Sequence, residues 1–487
     1  MDVFFDYNSR SNKATIRLSD EDVRDRLMEY FSVVNEAKRF FKGPGSWRIP
    51  DRLYFISPTG SFNYGLAEII ISWLKQYVFD RTINFNFTDT FKEKYFPKEN
   101  KNLKIVHNLA FEPRDYQKDC VNLALRHKFG TFVLGTGAGK TFTIASIINN
   151  LFVNKLVKKI LIIVPDNGLV LQFFNELTSE YKLPYNISCF YDKVNTIDKN
   201  ADIIIANRPL FLSRFSANEK YFRDKVDCLI VDEAHSIKRN NKISKHIEKM
   251  RAEYKFGFTG TLAENREDRI KCLGNLGPVR YEKTSKELRD GGFLTQVTVS
   301  CVQLDYNEQF NRSRKYREEI TLLQTLDKRN EFLTKLLFKL EKNTLILVNF
   351  LAHGFELERI FKEFNEKNNL NRTIVFIRGE VETEIREEFK KLMEKENGII
   401  CIAITKIFST GINIKNLHNI VLAAGGKSSV TVVQAIGRGL RLHPDKKELR
   451  IFDISDKGYL YSQRHAEKRK QIYSTEKIPI KEVVITL

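Results

Sequence analysis

The sequence predicts an α/β protein in which two successive parallel-sheet domains follow a small α+β domain. Two observations support this fold class. From residue 111 onward, short runs rich in Ile and Val alternate with helical segments, and the same alternation starts again after residue 296. Apolar runs that do not alternate with polar residues are typical of parallel strands covered on both faces. We therefore expect domains at 1–105, 106–296 and 297–487.

Residues 1–105 are predicted to mix helices with strands. The segment 20–34 has helical spacing and acidic residues in its first turn, where the helix dipole favours negative charge. The segment 65–79 is predicted to be an amphipathic helix. A turn-rich stretch at 40–56 leads into a strand-like run, and the polar segment 87–104 is predicted to be a linker.

The two later domains are predicted from their apolar runs. The first set is "TFVLGTG" (131–137), "KILIIVP" (159–165), "ADIIIAN" (201–207), "DCLIVDE" (227–233) and "YKFGFTG" (254–260). The second set is "NTLILVNF" (343–350), "RTIVFIRG" (372–379), "GIICIAI" (398–404), "NIVLAAG" (419–425) and "LRIFDIS" (449–455). Between the sets, the charged segment 308–342 is predicted to be helical with a solvated face.

Charge and cysteine usage limit the class of protein. The chain has 80 Lys and Arg against 61 Asp and Glu, a net charge of +19. Such an excess favours polyanions, of which nucleic acid is the commonest. The six cysteines form no CxxC pair, which predicts free thiols in a reducing compartment and no zinc site. No run approaches the ~20 apolar residues of a membrane span, and no secretory signal is visible. A cytoplasmic protein without a membrane partner is therefore expected.

The segment "LGTGAGKT" (134–141) has a phosphate-binding pattern. It follows a predicted strand and precedes a predicted helix, which is the context of a P-loop. Backbone N–H groups around Gly137–Lys140 can cradle a phosphate at the start of that helix. Lys140 is expected to reach the β- and γ-phosphates, and the Thr141 hydroxyl to ligate Mg²⁺. Leu134 stands where the strict pattern has Gly, but the GTGAGKT core is intact.

The run "CLIVDEAH" (228–235) ends a predicted strand on two carboxylates. Asp232 can hold Mg²⁺ through water, and Glu233 can polarise the water that attacks a phosphoanhydride. An Asp-Glu pair alone is weak evidence, but this pair follows a strand that comes after a P-loop. ATP and Mg²⁺ are therefore the predicted nucleotide and metal.

The stretch "VTVVQAIGRGLRLH" (430–443) places Arg438 and Arg441 three residues apart, on one face of a helix. Gly437 and Gly439 lie beside them, although Gly is about 1 kcal/mol less favourable than Ala inside a helix. Glycines in a helix indicate that another group approaches the backbone closely or that the chain bends there. The two arginines beside them indicate that an anion is bound, and its identity is the next question.

The motifs follow one another over 111–443 in the order found in superfamily 2 helicases, and the sequence resembles that family. Its adenine-reading segment is similar to "FEPRDYQKDCV" (111–121), with Arg114 and Gln117 in the expected places. Its DNA-backbone, coupling and later motifs are similar to "IIVPDNGLVLQFFNEL" (162–177), "IIIANRPLF" (203–211), "FTGTL" (258–262), "LVNFLAHGFEL" (347–357), "RGEVETEIREEF" (378–389) and "FSTGINIKNLHNIVLA" (408–423).

The resemblance implies two tandem RecA-like motor domains and assigns further site residues. "QAIGRGLR" is similar to the last motif of the family, so Arg438 and Arg441 are implied to meet the γ-phosphate and Gln434 to position the water or that phosphate. Arginines in this role are worth about 10³–10⁵ in rate. The implied catalytic residues are Lys140, Asp232, Glu233, Gln434, Arg438 and Arg441. The implied nucleotide contacts are Arg114, Gln117, Thr136, Gly137, Ala138, Gly139, Lys140, Thr141 and Gly411, with Thr141 and Asp232 on the metal.

Within that superfamily, the later motifs resemble the UvsW-type branch-migration helicases of tailed phages more than the DEAD-box RNA helicases. The resemblance implies an ATP-driven 3′-to-5′ motor on branched or forked DNA, with single-stranded DNA as a further partner. It implies a monomer that serves recombination, repair and replication-fork processing in the host cytoplasm. The N-terminal domain is then expected to bind DNA through Lys38, Arg39, Lys42, Trp47, Arg48 and Arg52. A core position for Trp47 is an equally good interpretation.

Three other functions share parts of this pattern. The translocating subunit of a restriction system has the same motor motifs, but no paired-acid-plus-lysine nuclease site is visible in 1–105 or 444–487. An RNA helicase shares the phosphate contacts and is not separated by the motifs. A nucleic-acid scaffold with an inactive motor is disfavoured because Lys140, Asp232 and Glu233 are all present.

Overall fold

The computed structural model describes residues 1–36, 38, 43, 49–96, 103–239, 241–307, 315–377, 391–405, 414–423, 436–437 and 439–487. These residues divide into two compact units. The first unit comprises Met1–Leu134 and Gly139–Lys283, and the second comprises Gly135–Ala138 and Thr284–Leu487. Among the described residues, none of the helices combines the length and the apolar composition needed to cross a membrane.

The N-terminal part of the first unit is a small mixed sheet with helices packed on it. Its elements are β1 (Asp2–Asn8), β2 (Lys13–Leu18), α1 (Glu21–Tyr30), β3 (Ser32–Val34), β4 (Arg52–Tyr54), β5 (Ser61–Asn63), α2 (Ala67–Tyr77), β6 (Asn84–Phe87) and α3 (Asp89–Tyr95). The sheet order is β5-β2-β1-β6, with β1 antiparallel to β2 and parallel to β6, while β3 and β4 pair separately. Strand β1 alternates buried Val3 and Phe5 with exposed Phe4, as a strand with one covered face requires.

The rest of the first unit is a seven-stranded, all-parallel sheet. Its elements are α4 (Asp115–His127), β7 (Phe129–Leu134), α5 (Lys140–Val153), β8 (Ile160–Val164), α6 (Asn167–Asn175), β9 (Ile187–Phe190), β10 (Ile203–Asn207), α7 (Arg208–Arg214), α8 (Glu219–Asp224), β11 (Cys228–Asp232), α9 (Lys242–Lys249), β12 (Tyr254–Thr259), α10 (Arg266–Leu276) and β13 (Val279–Lys283). The strand order is β13-β7-β12-β11-β8-β10-β9. Strands β8, β10, β11 and β12 are buried along their whole length, which explains their unbroken apolar sequences.

The second unit has a second seven-stranded parallel sheet, in the order β16-β17-β15-β18-β19-β14-β20. Its elements are α11 (Ser285–Asp290), β14 (Gln296–Asp305), α12 (Tyr316–Thr325), α13 (Asp327–Lys339), β15 (Thr344–Val348), α14 (Leu351–Lys367), β16 (Ile374–Ile377), β17 (Ile400–Ile404), β18 (Asn419–Leu422), β19 (Glu448–Asp456), α15 (Leu460–Thr475) and β20 (Ile480–Thr486). Two parallel sheets preceded by a small α+β part confirm the predicted fold class. The six cysteines are free thiols, as predicted.

One local prediction is wrong, and a second has an exception. The predicted linker at 87–104 includes the helix α3, whose Phe91 and Tyr95 are buried in the N-terminal core. The segment 308–342 contains two helices, α12 and α13, and α13 has the predicted solvated face, which includes Lys335. The same helix, however, carries Arg329 with only 2% exposure. The Arg329 guanidinium pairs with the buried Asp456 carboxylate at 2.9 Å, so this charged segment contributes to the core. Residues 308–314 lie outside the described residues.

The N-terminal sheet and the first parallel sheet share one apolar core. Phe129, which opens β7, belongs to the same cluster as Phe5, Tyr64 and Phe91. The guanidinium of Arg280 in β13 donates two hydrogen bonds of 2.6 Å to the Glu68 carboxylate in α2. These contacts hold the N-terminal part against the parallel sheet as one compact unit.

Candidate active site

The loop between β7 and α5 has the conformation that a phosphate-binding loop needs. Gly137 and Gly139 have positive φ angles of 85° and 74°, which favour glycine. A Cβ on Gly139 would lie 2.8 Å from the side-chain nitrogen of Gln117. No side chain of a described residue caps the start of α5 at Lys140, so the N–H groups of its first turn are available to an anion.

The carboxyl ends of three neighbouring strands bring the predicted catalytic groups together. Strand β12 lies between β7 and β11, and all three are parallel. The P-loop follows β7, while Asp232 ends β11 and Glu233 comes next. Glu233 has a left-handed backbone with φ of 52°, which is uncommon for a residue other than Gly. Its carboxylate oxygen Oε1 lies 3.9 Å from the Lys140 ammonium.

Asp232 is a buried carboxylate with spare acceptor capacity. Its side chain is 4% exposed, and its Oδ1 has no hydrogen-bond partner among the described residues. Burial, with the added negative charge of Glu233, raises the pKa of Asp232 to about 7. A buried carboxylate oxygen without a hydrogen-bond partner suits a hard divalent cation. In the described part of the chain, no group of three or more His, Cys, Asp or Glu side chains forms a metal cluster.

Glu233 is held in its ionised form. Burial raises its pKa, but the Lys140 charge and the hydrogen bond from His235 outweigh burial and lower the pKa to about 2. His235 Nδ1 lies 3.2 Å from Glu233 Oε2 and 2.9 Å from the Thr259 hydroxyl. That hydroxyl donates to the Thr261 carbonyl at 2.7 Å, so it accepts from His235 and favours a proton on Nδ1.

His235 and Thr259 were not among the predicted site residues. Both belong to motifs already visible in the sequence, "CLIVDEAH" and "FTGTL". Their contact needs β11 and β12 to be neighbours, and spacing along the chain does not give that information. The geometry links the ends of these two strands through Glu233, His235 and Thr259.

The predicted adenine-reading pair lies beside the P-loop. Gln117 is 3% exposed, and its Oε1 accepts from the backbone N–H of Arg114 at 2.9 Å. The Gln117 side-chain nitrogen lies 3.5 Å from the Gly139 carbonyl. Arg114 donates to the Tyr116 hydroxyl at 2.9 Å. These contacts connect the start of α4 to the loop that precedes α5.

Arg208 is a further cation near the carboxylates that the prediction did not include. It opens α7, directly after β10, inside the quoted segment "IIIANRPLF". Burial lowers its pKa, while the charges of Asp232, Glu233 and Asp166 act in the opposite direction. Its Nε and Nη2 are buried without a hydrogen-bond partner among the described residues.

Several predicted residues cannot be placed by this geometry. Gln434, Arg438 and Gly411 lie outside the described residues. Arg441 is described and exposed, and its carbonyl accepts a hydrogen bond of 3.1 Å from the Thr295 hydroxyl in the second unit. The roles given to these four residues remain predictions from the resemblance.

Comparison with known proteins gives two family matches. Residues 110–264 match the family described as "Type III restriction enzyme, res subunit". Residues 328–443 match "Helicase conserved C-terminal domain". Together these matches cover the P-loop, the carboxylate pair and the predicted arginine motif.

Individual relatives extend the similarity. The chain is 26% identical over 471 residues to "ATP-dependent DNA helicase uvsW" of Enterobacteria phage T4, covering 93% of this chain and 91% of the relative. It is 23% identical over 366 residues to "Type I restriction enzyme EcoAI endonuclease subunit" of Escherichia coli, covering 68% of this chain and 44% of that protein. A structure of the "ATP-dependent Type ISP restriction-modification enzyme LlaBIII bound to DNA" matches with a TM-score of 0.60 at 14% identity, covering 86% of this chain and 34% of that one, and shows the shared fold.

Proposed function

Because the chain is an ATP-dependent helicase of superfamily 2 that resembles the UvsW-type enzymes, we propose that it unwinds or branch-migrates forked and junction DNA. The proposal is supported by one observation above the others. The similarity to the phage T4 relative extends over 93% of this chain and 91% of the relative, so it includes the N-terminal domain as well as the motor. Recombination, repair and fork processing in a host cytoplasm are the proposed setting.

The described side chains suit ATP hydrolysis in distinct roles. The P-loop backbone and Lys140 bind the phosphates, and Glu233 orients the attacking water and accepts its proton. His235 restrains Glu233 through Oε2, and the Lys140 ammonium near Oε1 keeps that carboxylate ionised. Phosphoryl transfer depends mainly on positioning and charge stabilisation, so a weakly basic, fixed carboxylate is adequate.

Mg²⁺ fits this donor set. Asp232 offers a buried carboxylate oxygen without a protein partner, and Thr141 offers a hydroxyl at the start of α5. These two residues are the proposed holders of the metal. When bound, the ion neutralises phosphate charge that develops in the reaction.

Two of the cations proposed to contact DNA also have partners within the protein. Lys38 pairs with Asp51 at 2.6 Å, and Arg52 donates to the Ser32 hydroxyl at 2.7 Å. The contacts of these two cations with DNA remain proposals. Arg39, Lys42, Trp47 and Arg48 lie outside the described residues, and their contacts with DNA remain a prediction.

An ATPase and unwinding assay on four substrates tests the proposal. We expect the order Holliday junction and fork above linear duplex, with RNA lowest. The variant Lys140→Ala should lose ATP turnover while it keeps DNA binding, because the phosphate contacts of DNA come from other residues. Equal stimulation by RNA and branched DNA would instead support the RNA-helicase alternative. Translocation along linear duplex without unwinding would support a restriction-type motor, whose relatives share the fold.

A further inference from the structure

A basic cleft lies between the N-terminal sheet and two helices of the first parallel-sheet domain. It has a volume of about 380 Å³, and its walls come from the turn between β1 and β2 and from α8 and α9 with the residues after it. The cations that line it are Arg10, Lys13, Arg223, Lys245, Lys249 and Arg251.

The cleft keeps a positive surplus after its own ion pairs are counted. Its carboxylates are Glu219, which pairs with Lys249 at 2.8 Å, and Glu248, which pairs with a lysine outside the cleft, Lys271. The neighbouring Asp224 pairs with Arg223 at 2.8 Å and with Arg251 at 3.5 Å.

Three of the lining cations have no such partner. Within the part of the chain that the structure describes, Arg10, Lys13 and Lys245 make no ion pair. Their charges come from two different segments, the β1–β2 turn and α9, and line one concave surface. Such a surface matches a ligand with several closely spaced negative charges.

The two walls of the cleft are fixed to each other. The side-chain amide of Asn12 donates to the carbonyls of Glu248 and Met250, at 2.9 Å each. The Tyr7 hydroxyl donates to the Asn12 side-chain oxygen at 2.8 Å, and Arg251 donates to the Arg10 carbonyl at 3.3 Å. Because the bonds of Asn12 and Arg251 join the two walls, the backbone that carries the charges is held in place before any ligand binds, which favours affinity.

The cleft lies at the edge of the sheet opposite the active site. Helix α8 ends just before β11 begins at Cys228, and α9 ends just before β12 begins at Tyr254. Asp232 and Thr259 are at the other ends of these strands. A strand rises about 3.3 Å per residue, so the two edges of β11 are about 13 Å apart. A nucleic-acid strand that follows the motor motifs at the carboxyl edge therefore does not also fill this cleft.

We propose that the cleft binds the sugar–phosphate backbone of a second arm of a branched nucleic acid, while the motor holds the first arm. This inference rests on the proposed function, since it assigns part of the preference for branched over linear DNA to Arg10, Lys13 and Lys245. Phosphates spaced along a backbone match the distribution of cations over two walls.

The test compares two triple variants of the full chain. Arg10→Ala, Lys13→Ala and Lys245→Ala remove the unpaired charges of the cleft. The matched control, Arg17→Ala, Lys199→Ala and Lys367→Ala, removes the same net charge from exposed positions that do not line it. Binding to a long-armed Holliday junction and to linear duplex is measured by fluorescence anisotropy between about 50 and 200 mM salt.

The cleft variant should bind the junction at least tenfold more weakly, and its salt slope should fall by about 2.7, or 0.9 for each of three phosphates. The control variant should keep both values, and ATP turnover without DNA should be unchanged in both. Unchanged junction binding by the cleft variant would overturn the inference. An equal loss on linear duplex would overturn the second-arm role, and loss of a polyglutamate probe alone would identify an acidic protein as the partner.

The wild-type chain separates this inference from the proposed function. Absence of any DNA-stimulated ATP turnover in the wild type would refute the helicase proposal, whatever the cleft variant does. Normal stimulation together with normal junction binding by the cleft variant would refute the cleft alone.

Discussion

The ion pair between Glu68 and Arg280 offers a direct test of how the N-terminal domain is attached. The Arg280 side chain is 8% exposed and donates to both Glu68 oxygens at 2.6 Å. Its Nε also donates to the Phe129 carbonyl at 3.0 Å, and the guanidinium lies 5.6 Å from the centre of the Phe129 ring. The substitution Glu68→Ala leaves this buried cation without its carboxylate.

The expected loss of unfolding free energy follows from these contacts. Breaking a buried ion pair by removing one partner costs about 3–5 kcal/mol, because the remaining charge is left uncompensated. The Glu68 side chain is 31% exposed, so water replaces part of the lost interaction. We therefore expect the lower end, about 3 kcal/mol, or about 6 °C at about 2 °C per kcal/mol for a unit of this size.

Tryptophan fluorescence during urea unfolding measures this effect selectively. Both tryptophans of the chain, Trp47 and Trp73, lie in the N-terminal domain. The control is Lys92→Ala, which breaks an exposed pair with Asp89 on α3 in the same domain and should cost less than about 0.5 kcal/mol. If Glu68→Ala costs no more than this control, the docked arrangement of the N-terminal domain is not the one that the chain adopts in solution.

Three further predictions concern the site and its surroundings. Glu233→Gln keeps the side-chain shape and removes the base, so it should bind ATP and DNA normally but hydrolyse slowly in single-turnover assays; failure to bind ATP would indicate a structural role. Arg438→Ala and Arg441→Ala should lower the DNA-stimulated ATPase rate far more than nucleotide affinity measured by titration, because the role proposed for these arginines is to stabilise charge in the transition state; a wild-type stimulated rate in both would contradict the assignment. Burial lowers the pKa of Lys94 to about 8, below its value of about 10.5 in the unfolded chain. The charged Lys94 therefore lowers the unfolding free energy by its full amount below pH 8, and this loss of stability is relieved as the pH rises towards about 10.5. Lys94→Met should therefore raise the unfolding free energy at pH 7 by about 1–2 kcal/mol after the loss of cation–π contact, with an advantage that shrinks at pH 10 in urea titrations.

The parallel sheets could be predicted from the sequence because each strand carries its own signal. Strands β8, β10 and β11 are buried on both faces, so their apolar runs do not depend on a particular partner. The P-loop is equally local, since its glycines, Lys140 and the following helix are adjacent in the chain. The position of Asp232 and Glu233 follows from the same rule, because functional residues collect at the carboxyl ends of parallel strands.

The N-terminal domain could not be predicted in the same way. The sequence of α3 predicts a linker because Phe91 and Tyr95 stand in a polar segment, and their burial depends on Tyr64 and Phe129. These partners come from distant parts of the chain. Arg329 in α13 shows the same limitation, since its buried partner Asp456 is 127 residues away. A charge pattern alone does not distinguish a solvated arginine from a paired, buried one.

The active site likewise contains features that local sequence predicts and contacts that depend on the whole fold. The residue types and their order predicted the P-loop and the carboxylates, whereas the hydrogen bonds of His235 depend on which strands are neighbours. His235 and Thr259 meet because β11 and β12 are adjacent in the sheet, with Asp232 opposite Phe258 in the register. Strand order is a property of the whole fold, so this part of the site becomes visible only in the structure.

The shared core also decides how the N-terminal domain has to be studied. Removal of residues 1–105 would expose Phe129 and Lys255, which are each 1% exposed in the intact chain. Lys255 lies in β12, its ammonium is 5.2 Å from the centre of the Tyr64 ring, and burial lowers its pKa well below the usual value. The same strand ends at Thr259, which bonds to His235 in the active site. A truncated chain that lost ATP turnover would therefore report damage to β12 as much as the absence of a DNA-binding domain. Substitutions confined to the basic cleft leave this strand covered, so they test the preference for branched DNA without disturbing the hydrolytic site.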